Sequence, residues 1–330
     1  MPVTMKDIAE KAGVSSATVS KILNGVDQHI SERTRQRVLK IVEDMGYVPN
    51  NAARSLKTKS SRLIGFILPD IANPFFPEIV RGVEDTARSY NYALVICNTD
   101  NDPINENKVF QFLNARMVDG IIFTHSLQSI DQTLLKKIGV PAVIVDRKLE
   151  GSWIGIGQVF INQENAFYDS TSLLIKKGRK NIIFISADYG SVPNHRLEGY
   201  KNALRKAHLK YRAENVFLGK YDAETGRSAI DYFLKKGTLF NGVVCGNDMI
   251  AFGVLDALHR HGKKIPKDVS VIGFDDITFS KYTTPALTTV HQPAYEMGAE
   301  AMRMLIENIT QGKPMIQKKL SYYIQNRETL

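Results

Sequence analysis

Short apolar runs alternate with amphipathic stretches from Leu63 to Phe274, and no other feature narrows the possible folds as far. Leu63 to Leu68, Ala93 to Cys97, Gly120 to Phe123 and Ala142 to Val145 are continuous apolar runs of strand length. Such runs suit strands buried on both faces, whereas a half-solvated strand alternates. Amphipathic segments near Phe76 to Tyr90, Asn105 to Arg116 and Asp131 to Ile138 separate them as helices. A second series follows, with strands Ile182 to Ser186, Val216 to Gly219, Gly242 to Cys245 and Val269 to Phe274. Its helices lie near Arg196 to Ala207, Ala223 to Lys235 and Ile250 to His261. Strand-helix alternation implies a parallel sheet covered on both faces. Two such series predict two doubly wound α/β lobes.

Polar and aromatic residues gather just past the carboxyl ends of these strands, where open parallel sheets bind ligands. Asn73, Phe75 and Phe76 follow the first strand, and Asp146 and Arg147 end the fourth. Arg196 follows Ile182 to Ser186, Asn247 and Asp248 follow Cys245, and Asp275 follows Phe274. Carboxylates and guanidinium groups fork onto neighbouring hydroxyls, and aromatic rings pack on the apolar face of a sugar. Each residue alone has a plainer role: Asn247 and Asp248 as helix caps, Asp275 in a turn, Phe75 and Phe76 as core. Together they suit a small polyol.

The first sixty residues are different in kind. Thr4 and Asp7 form a capping pair opening a helix whose apolar face is Ile8, Ala9 and Ala12, and Gly13 closes it. Ser15 caps a second helix, Ser16 to Leu23, that turns Val19, Ile22 and Leu23 inward. Ser16, Ala17, Thr18, Ser20 and Lys21 face outward, small enough for the backbone to approach DNA closely. A third helix runs from Ser31 to Gly46 and buries Val38, Ile41, Val42 and Met45. Helix, Gly-containing turn, helix is the helix-turn-helix arrangement, although an ordinary helical bundle shares the pattern. Pro49 then stops the chain, and Asn50 caps a short Ala-rich helix too brief to hold alone. Leu56 at its end, beside Arg54 and Lys57, suits a minor-groove wedge or a solvated linker. Eleven Lys/Arg against six Asp/Glu up to Arg62 carry five of the net +9 charges. A basic head on a nearly neutral body favours nucleic acid.

Three linked motifs now resemble one family. Thr4-Met5-Lys6-Asp7-Ile8-Ala9, Gly13 through Asn24, and Tyr47-Val48-Pro49-Asn50 through Ala53-Arg54-Ser55-Leu56 are similar to the lactose-repressor/galactose-repressor family, and the likeness runs from Thr4 to about Arg327. It implies a helix-turn-helix domain at 1–48, a hinge helix and linker at 49–61, and an effector-binding and dimerisation domain at 62–330. That body would be a two-lobed periplasmic-binding-protein-like (type I) domain. Lobe 1 would take about 62–161 plus 291–321, and lobe 2 about 162–290 plus 322–330. Implied DNA contacts are Thr4, Ser15, Ser16, Ala17, Thr18, Ser20, Lys21, Asn24 and His29, with Asn50, Ala53, Arg54, Leu56 and Lys57 in the hinge. Paired Leu56 residues of a homodimer would open a near-palindromic operator, with the hinge helix folding only on DNA. The loop Gly25 to Ile30 is about one residue longer than the usual pattern. In the cleft, the likeness to ribose-type repressors implies that Asn73, Asp146, Arg147, Arg196, Asn247, Asp275 and Gln292 bond hydroxyls. Phe75 and Phe76 would sandwich the ring. The effector would be a monosaccharide, a pentose such as ribose, or a sugar acid.

Other classes fit less well. No phosphate loop, dinucleotide fingerprint or nucleophile elbow is present, so neither an enzyme nor a resident cofactor or metal is expected. A transport-type sugar receptor would lack the head. A regulator gated by a phosphorylated carrier protein remains open, because Tyr295 to Arg303 is similar to the contact helix of carbon-catabolite control proteins. No apolar run approaches a membrane span, and a cytoplasmic, reduced location is expected, with Cys97 and Cys245 as buried thiols.

Overall fold

The computed structural model describes residues 3–47, 60–126, 139–149, 155–188, 190 and 194–330, in two compact units that divide between Ser61 and Arg62. The predicted hinge helix and the helix at 131–138 lie outside the described residues.

The head unit holds α1 (Met5–Ala12), α2 (Ser16–Leu23) and α3 (Glu32–Asp44). Each starts where a hydroxyl can accept an orphan amide. Thr4 accepts from Asp7 N–H while Asp7 reaches back to Thr4 N–H at 2.8 Å, and Ser15 and Ser31 cap the next two helices. Gly13 ends α1 in the left-handed region at φ +62°. Ile8, Val19 and Val38 are wholly buried and meet Ala9, Ala12, Ile22 and Tyr47. Leu23, Ile41, Val42 and Met45 only pack against the rim of this core. So small a unit has little interior, so residues predicted to be inward stay half-covered.

The body contains two sheets. The first runs β11-β5-β4-β3-β1-β2 and the second β12-β10-β9-β8-β6-β7. Strands β1 (Leu63–Leu68), β2 (Ala93–Asn98), β3 (Gly120–Phe123), β4 (Ala142–Val145) and β5 (Ile156–Phe160) are parallel. So are β6 (Ile182–Ala187), β7 (Val216–Gly219), β8 (Gly242–Cys245), β9 (Ser270–Asp275) and β10 (Thr288–His291). The last two strands belong to different sheets: β11 (Gln317–Lys319) joins β5 in parallel, and β12 (Tyr323–Gln325) joins β10 antiparallel. The order 2-1-3-4-5 recurs in both sheets, so each has a switch point beside its first strand, where a crevice opens.

Helices α4 (Phe75–Ser89) and α5 (Pro103–Ala115) serve the first sheet, and α6 (Gln163–Lys176), α7 (His195–Lys206), α8 (Ala223–Lys235) and α9 (Asp248–Arg260) the second. Helix α10 (Ala294–Gln311) follows β10 but packs against α4 of the first lobe. Gly82 and Gly298 allow this: a Cβ on Gly82 would lie 2.0 Å from the Tyr295 carbonyl oxygen, and one on Gly298 2.0 Å from that of Ile79.

Strand β5 and helix α6 escape the apolar pattern because both bury polar groups. Gln158 inside β5 accepts Leu149 N–H at 2.9 Å, and Ser170 and Thr171 bond back to carbonyls one turn earlier at 2.8 Å. Cys245 is buried as expected, but Cys97 is half-buried because β2 is an edge strand. No helix among the described residues is long and apolar enough to cross a membrane.

Candidate functional site

The head presents its candidate DNA contacts on one helix and its approaches. Ser16, Ala17 and Lys21 of α2 are exposed, with Thr18 and Ser20 half-buried beside them. Thr4, Ser15, Asn24 and His29 are also exposed. Ser15 Oγ lies 2.9 Å from Thr18 Oγ1, and Asn24 Nδ2 donates to the Ser20 carbonyl at 2.6 Å. The polar face is thus held by its own bonds while its apolar side is buried. Asn50, Ala53, Arg54, Leu56 and Lys57 lie outside the described residues.

In the body, a cleft of about 570 Å³ opens off the carboxyl ends of the strands and is lined from both lobes. Asn73, Phe75, Phe76, Asp146, Arg147, Arg196, Asn247 and Asp275 all line it, so eight of the nine predicted residues converge. Gln292, the ninth, is buried behind them and donates to Asp275 Oδ1 at 2.8 Å.

The local backbone explains several placements. Asn73 Oδ1 accepts Phe75 N–H at 3.1 Å, turning the chain into α4. Asn247 caps α9 by accepting Ile250 N–H at 2.9 Å, while its Nδ2 is buried with no protein partner. The cap therefore uses one polar atom of the side chain and leaves the other, Nδ2, without a protein partner. Gln292 Oε1 is likewise buried and without a protein partner. Buried polar atoms left so are costly unless a ligand or water meets them. Asp146 at φ +68° and Asp275 at φ +113° hold left-handed backbone that non-glycine residues rarely adopt. Such conformations concentrate where a side chain must be aimed.

The charges are closely arranged. Arg147 donates to Asn101 Oδ1 at 2.8 Å and to the His125 carbonyl at 2.6 Å, and lies 3.9 Å from Asp146. The Arg196 guanidinium donates to Gly246 O and stacks on Phe274 at 4.5 Å and Tyr221 at 5.0 Å. Burial pushes the Asp146 and Asp275 carboxyls above the usual range, against the pull of both arginines on Asp146 and of Arg196 on Asp275. Burial also holds His125 neutral, down to about 4, with Nδ1 donating to Ser126 O at 2.8 Å. Phe75 and Phe76 meet each other edge to face, 5.3 Å apart at 71°, so they are not the two parallel plates of a sandwich.

Gln163 behind the lining, and six residues within it, were not anticipated. Gln163, at the first crossing between lobes, donates to Asp146 Oδ1 at 3.3 Å and accepts from Arg196 Nε at 3.0 Å. It joins a lobe 1 carboxyl to a lobe 2 guanidinium, much as Gln292 touches both Asp275 and Asp146. Asp70, Asp100, Asp188, Lys220, Tyr221 and Asp222 line the same cleft. All six follow the carboxyl ends of β1, β2, β6 or β7, so the strand-end rule applied to every strand would have found them.

Residues 4–50 match the family described as bacterial regulatory proteins, lacI family, and residues 171–330 match the periplasmic binding protein-like domain. The HTH-type transcriptional regulator RegA of Clostridium saccharobutylicum is 41% identical over 311 residues, 93% of this chain and 92% of that protein. Catabolite control protein A of Priestia megaterium is 37% identical, covering 92% of each chain. The structure of the lac repressor dimer bound to operator and an anti-inducer superposes with a TM-score of 0.88 at 25% identity, over 100% of this chain and 99% of that one. These relatives are transcriptional regulators rather than enzymes. With the head, the two-lobed body and a relative of this identity over nearly its whole length, the chain belongs to the lacI family of bacterial regulatory proteins.

Proposed function

We propose that this regulator binds a near-palindromic operator as a two-fold dimer, and that a small uncharged sugar in the interlobe cleft changes its affinity for DNA. The observation that carries the reading is the convergence of buried polar side chains from both lobes on one cleft, with Asn247 Nδ2 and Gln292 Oε1 left without protein partners. A polyol offers hydroxyls that both donate and accept, which suits carboxylates, carboxamides and guanidinium groups together. Charge favours an uncharged sugar over a sugar acid. The lining holds six carboxylates (Asp70, Asp100, Asp146, Asp188, Asp222, Asp275) and three cations (Arg147, Arg196, Lys220). Even with Asp146 and Asp275 protonated, the acids outnumber the cations.

An apolar surface supports the dimer. Ile71, Phe279 and Tyr282 are exposed, and Phe279 and Tyr282 border a hollow lined by Ala72, Pro74, Met249 and Phe252 from both lobes. Contiguous exposed apolar surface marks an interaction site, and a two-fold pair would match a palindromic site. Ligand binding acts on DNA only through different affinities for two arrangements of the lobes, with coupling of typically ~1–3 kcal/mol. Calorimetry with pentoses, hexoses and sugar acids, followed by operator binding with and without the best binder, tests the reading. It fails if no sugar binds or if bound sugar leaves operator affinity unchanged.

A second reading, gating by a phosphorylated carrier protein, draws on the likeness to catabolite control protein A and on the exposed Tyr295 and Glu296 of α10. Against it, Arg303 is held by Glu300, which also binds Lys318. Pull-down with the phosphorylated carrier, set beside sugar titration, separates the two readings.

A further inference from the structure

We infer that Gln163 is a positioning residue that couples the two lobes. Its single carboxamide joins a lobe 1 carboxyl to a lobe 2 guanidinium and keeps them apart, so a ligand on either group acts on both lobes. This rests on the reading of the cleft as a sugar site.

Gln163 opens α6, where the chain first crosses from lobe 1 to lobe 2, and lies behind the cleft lining. Its Nε2 donates to Asp146 Oδ1 at 3.3 Å and to the Asp146 carbonyl at 3.4 Å, and its Oε1 accepts from Arg196 Nε at 3.0 Å. These partners fix which way the amide points, because a guanidinium only donates and an ionised carboxylate only accepts. A carboxylate at this position would face Asp146 with like charge, and a cation would do the same to Arg196. An apolar group would leave the two charges to pair directly. An uncharged side chain with a donor on one atom and an acceptor on another keeps both neighbours aimed at the cleft.

The two ends of the bridge are anchored unequally. Arg196 is held by Gly246 O and by the rings of Phe167, Tyr221 and Phe274 at 5.6, 5.0 and 4.5 Å. The bond to Arg196 has the usual N–H···O length, whereas those to Asp146 lie beyond the common range. Motion that brings lobe 1 toward lobe 2 shortens them, and motion that parts the lobes breaks them. The bridge thus differs between lobe arrangements, which is what coupling requires. A sugar hydroxyl on Asp146 or Arg196 draws on the same two groups, so occupancy and lobe arrangement meet at one amide.

The full-length protein tests this with and without ligand. In the ligand-free protein, spin labels at Lys108→Cys on lobe 1 and Lys235→Cys on lobe 2, both exposed positions, report the interlobe distance in a Cys97→Ser background. Gln163→Leu should broaden or shift that distribution. The tightest binder among ribose, glucose and galactose, at saturation, should change operator affinity of the parent by at least about fivefold. In Gln163→Leu the change should fall below about twofold, with sugar affinity reduced no more than about tenfold. Gln163→Glu separates positioning from a merely structural role. The charged groups around it are Asp146 and Arg147 of lobe 1 and Arg196 and Asp275 of lobe 2. Its carboxyl can donate to Asp146 only when protonated, so the response should approach the parent's at about pH 5.5 and be lost at about pH 8. The inference is overturned if Gln163→Leu leaves the distance distribution unchanged or keeps the parent's response, or if Gln163→Glu follows the parent at both pH values. A parent that binds no sugar overturns the sugar-site reading alone, and the ligand-free distances then decide the bridge.

Discussion

Arg196 shows how much one side chain can be asked to do. Its guanidinium sits between Phe274 and Tyr221, bonds Gly246 O, and meets Asp146 through Gln163. Removing it leaves buried carboxyls without their compensating charge. Arg196→Ala and Asp275→Ala should each lower sugar affinity by roughly 10- to 150-fold, the ~1.5–3 kcal/mol of hydrogen bonds to a charged group, and leave operator binding unchanged. Normal calorimetric affinity in both variants would show the site to be misplaced. Asp248 makes a second residue-scale prediction. Its carboxylate accepts from Thr289 Oγ1 and Ser280 Oγ, both at 2.6 Å, and from Ile277 N–H at 3.0 Å, yet burial raises it to about 7. An unfolded Asp titrates near ~4. Between those values the native state holds a proton that the unfolded chain lacks, so this group's share of stability is lost as pH rises from about 4 to about 7. Glu106, raised to about 7 by burial, acts in the same direction. In Asp248→Asn, denaturation measured from pH 5 to 8 should show a slope shallower by up to about 1.4 kcal/mol per pH unit. An unchanged slope would mean that Asp248 is ionised throughout.

Among the elements, the helix pair α4–α10 ties the end of the chain to the first lobe. Gly82 faces the Tyr295 carbonyl and Gly298 faces that of Ile79, each with no room for a methyl group. Gly82→Ala should force the pair apart and destabilise the body by about 1–3 kcal/mol, read as a lower midpoint in chemical denaturation of the body. A midpoint within experimental scatter of the parent would show that the pair can slide. The glycines stand out little in the sequence, because close approach of two backbones depends on a partner about 216 positions away. The caps are legible for the opposite reason. Thr4, Ser15 and Ser31 act on amides within three residues, so the chemistry and its target lie side by side.

For the whole molecule, sugar in the cleft would act on the leucine wedge that the family likeness implies for Leu56. Leu56→Ala should weaken specific operator binding at least about tenfold, each lost wedge contributing on the order of 1 kcal/mol or more, with sugar affinity within twofold of the parent. Gel shift and calorimetry on the same preparation decide it. Equal operator affinity would remove the hinge from the mechanism. Coupling of this kind needs contacts that differ between two lobe arrangements, and Gln163 and Gln292 are placed for that, one at each of two crossings and each touching groups from both lobes.

What the chain determined without its tertiary structure is whatever acts over short range: apolar runs that can only be buried strands, hydroxyls beside the amides they cap, and polar residues at strand ends. That was enough for the two-lobed α/β architecture, the helix-turn-helix head and most of the cleft. Folding alone decided the rest. Gln163 becomes a bridge only once two sheets share a hinge, and Tyr221 joins the cleft only once β7 is set beside β6. The last two strands divide between the sheets because each finds a free edge, one beside β5 and one beside β10. Which edge stands open depends on the order of all the strands together, and that order is a property of the assembled sheet rather than of any segment in it.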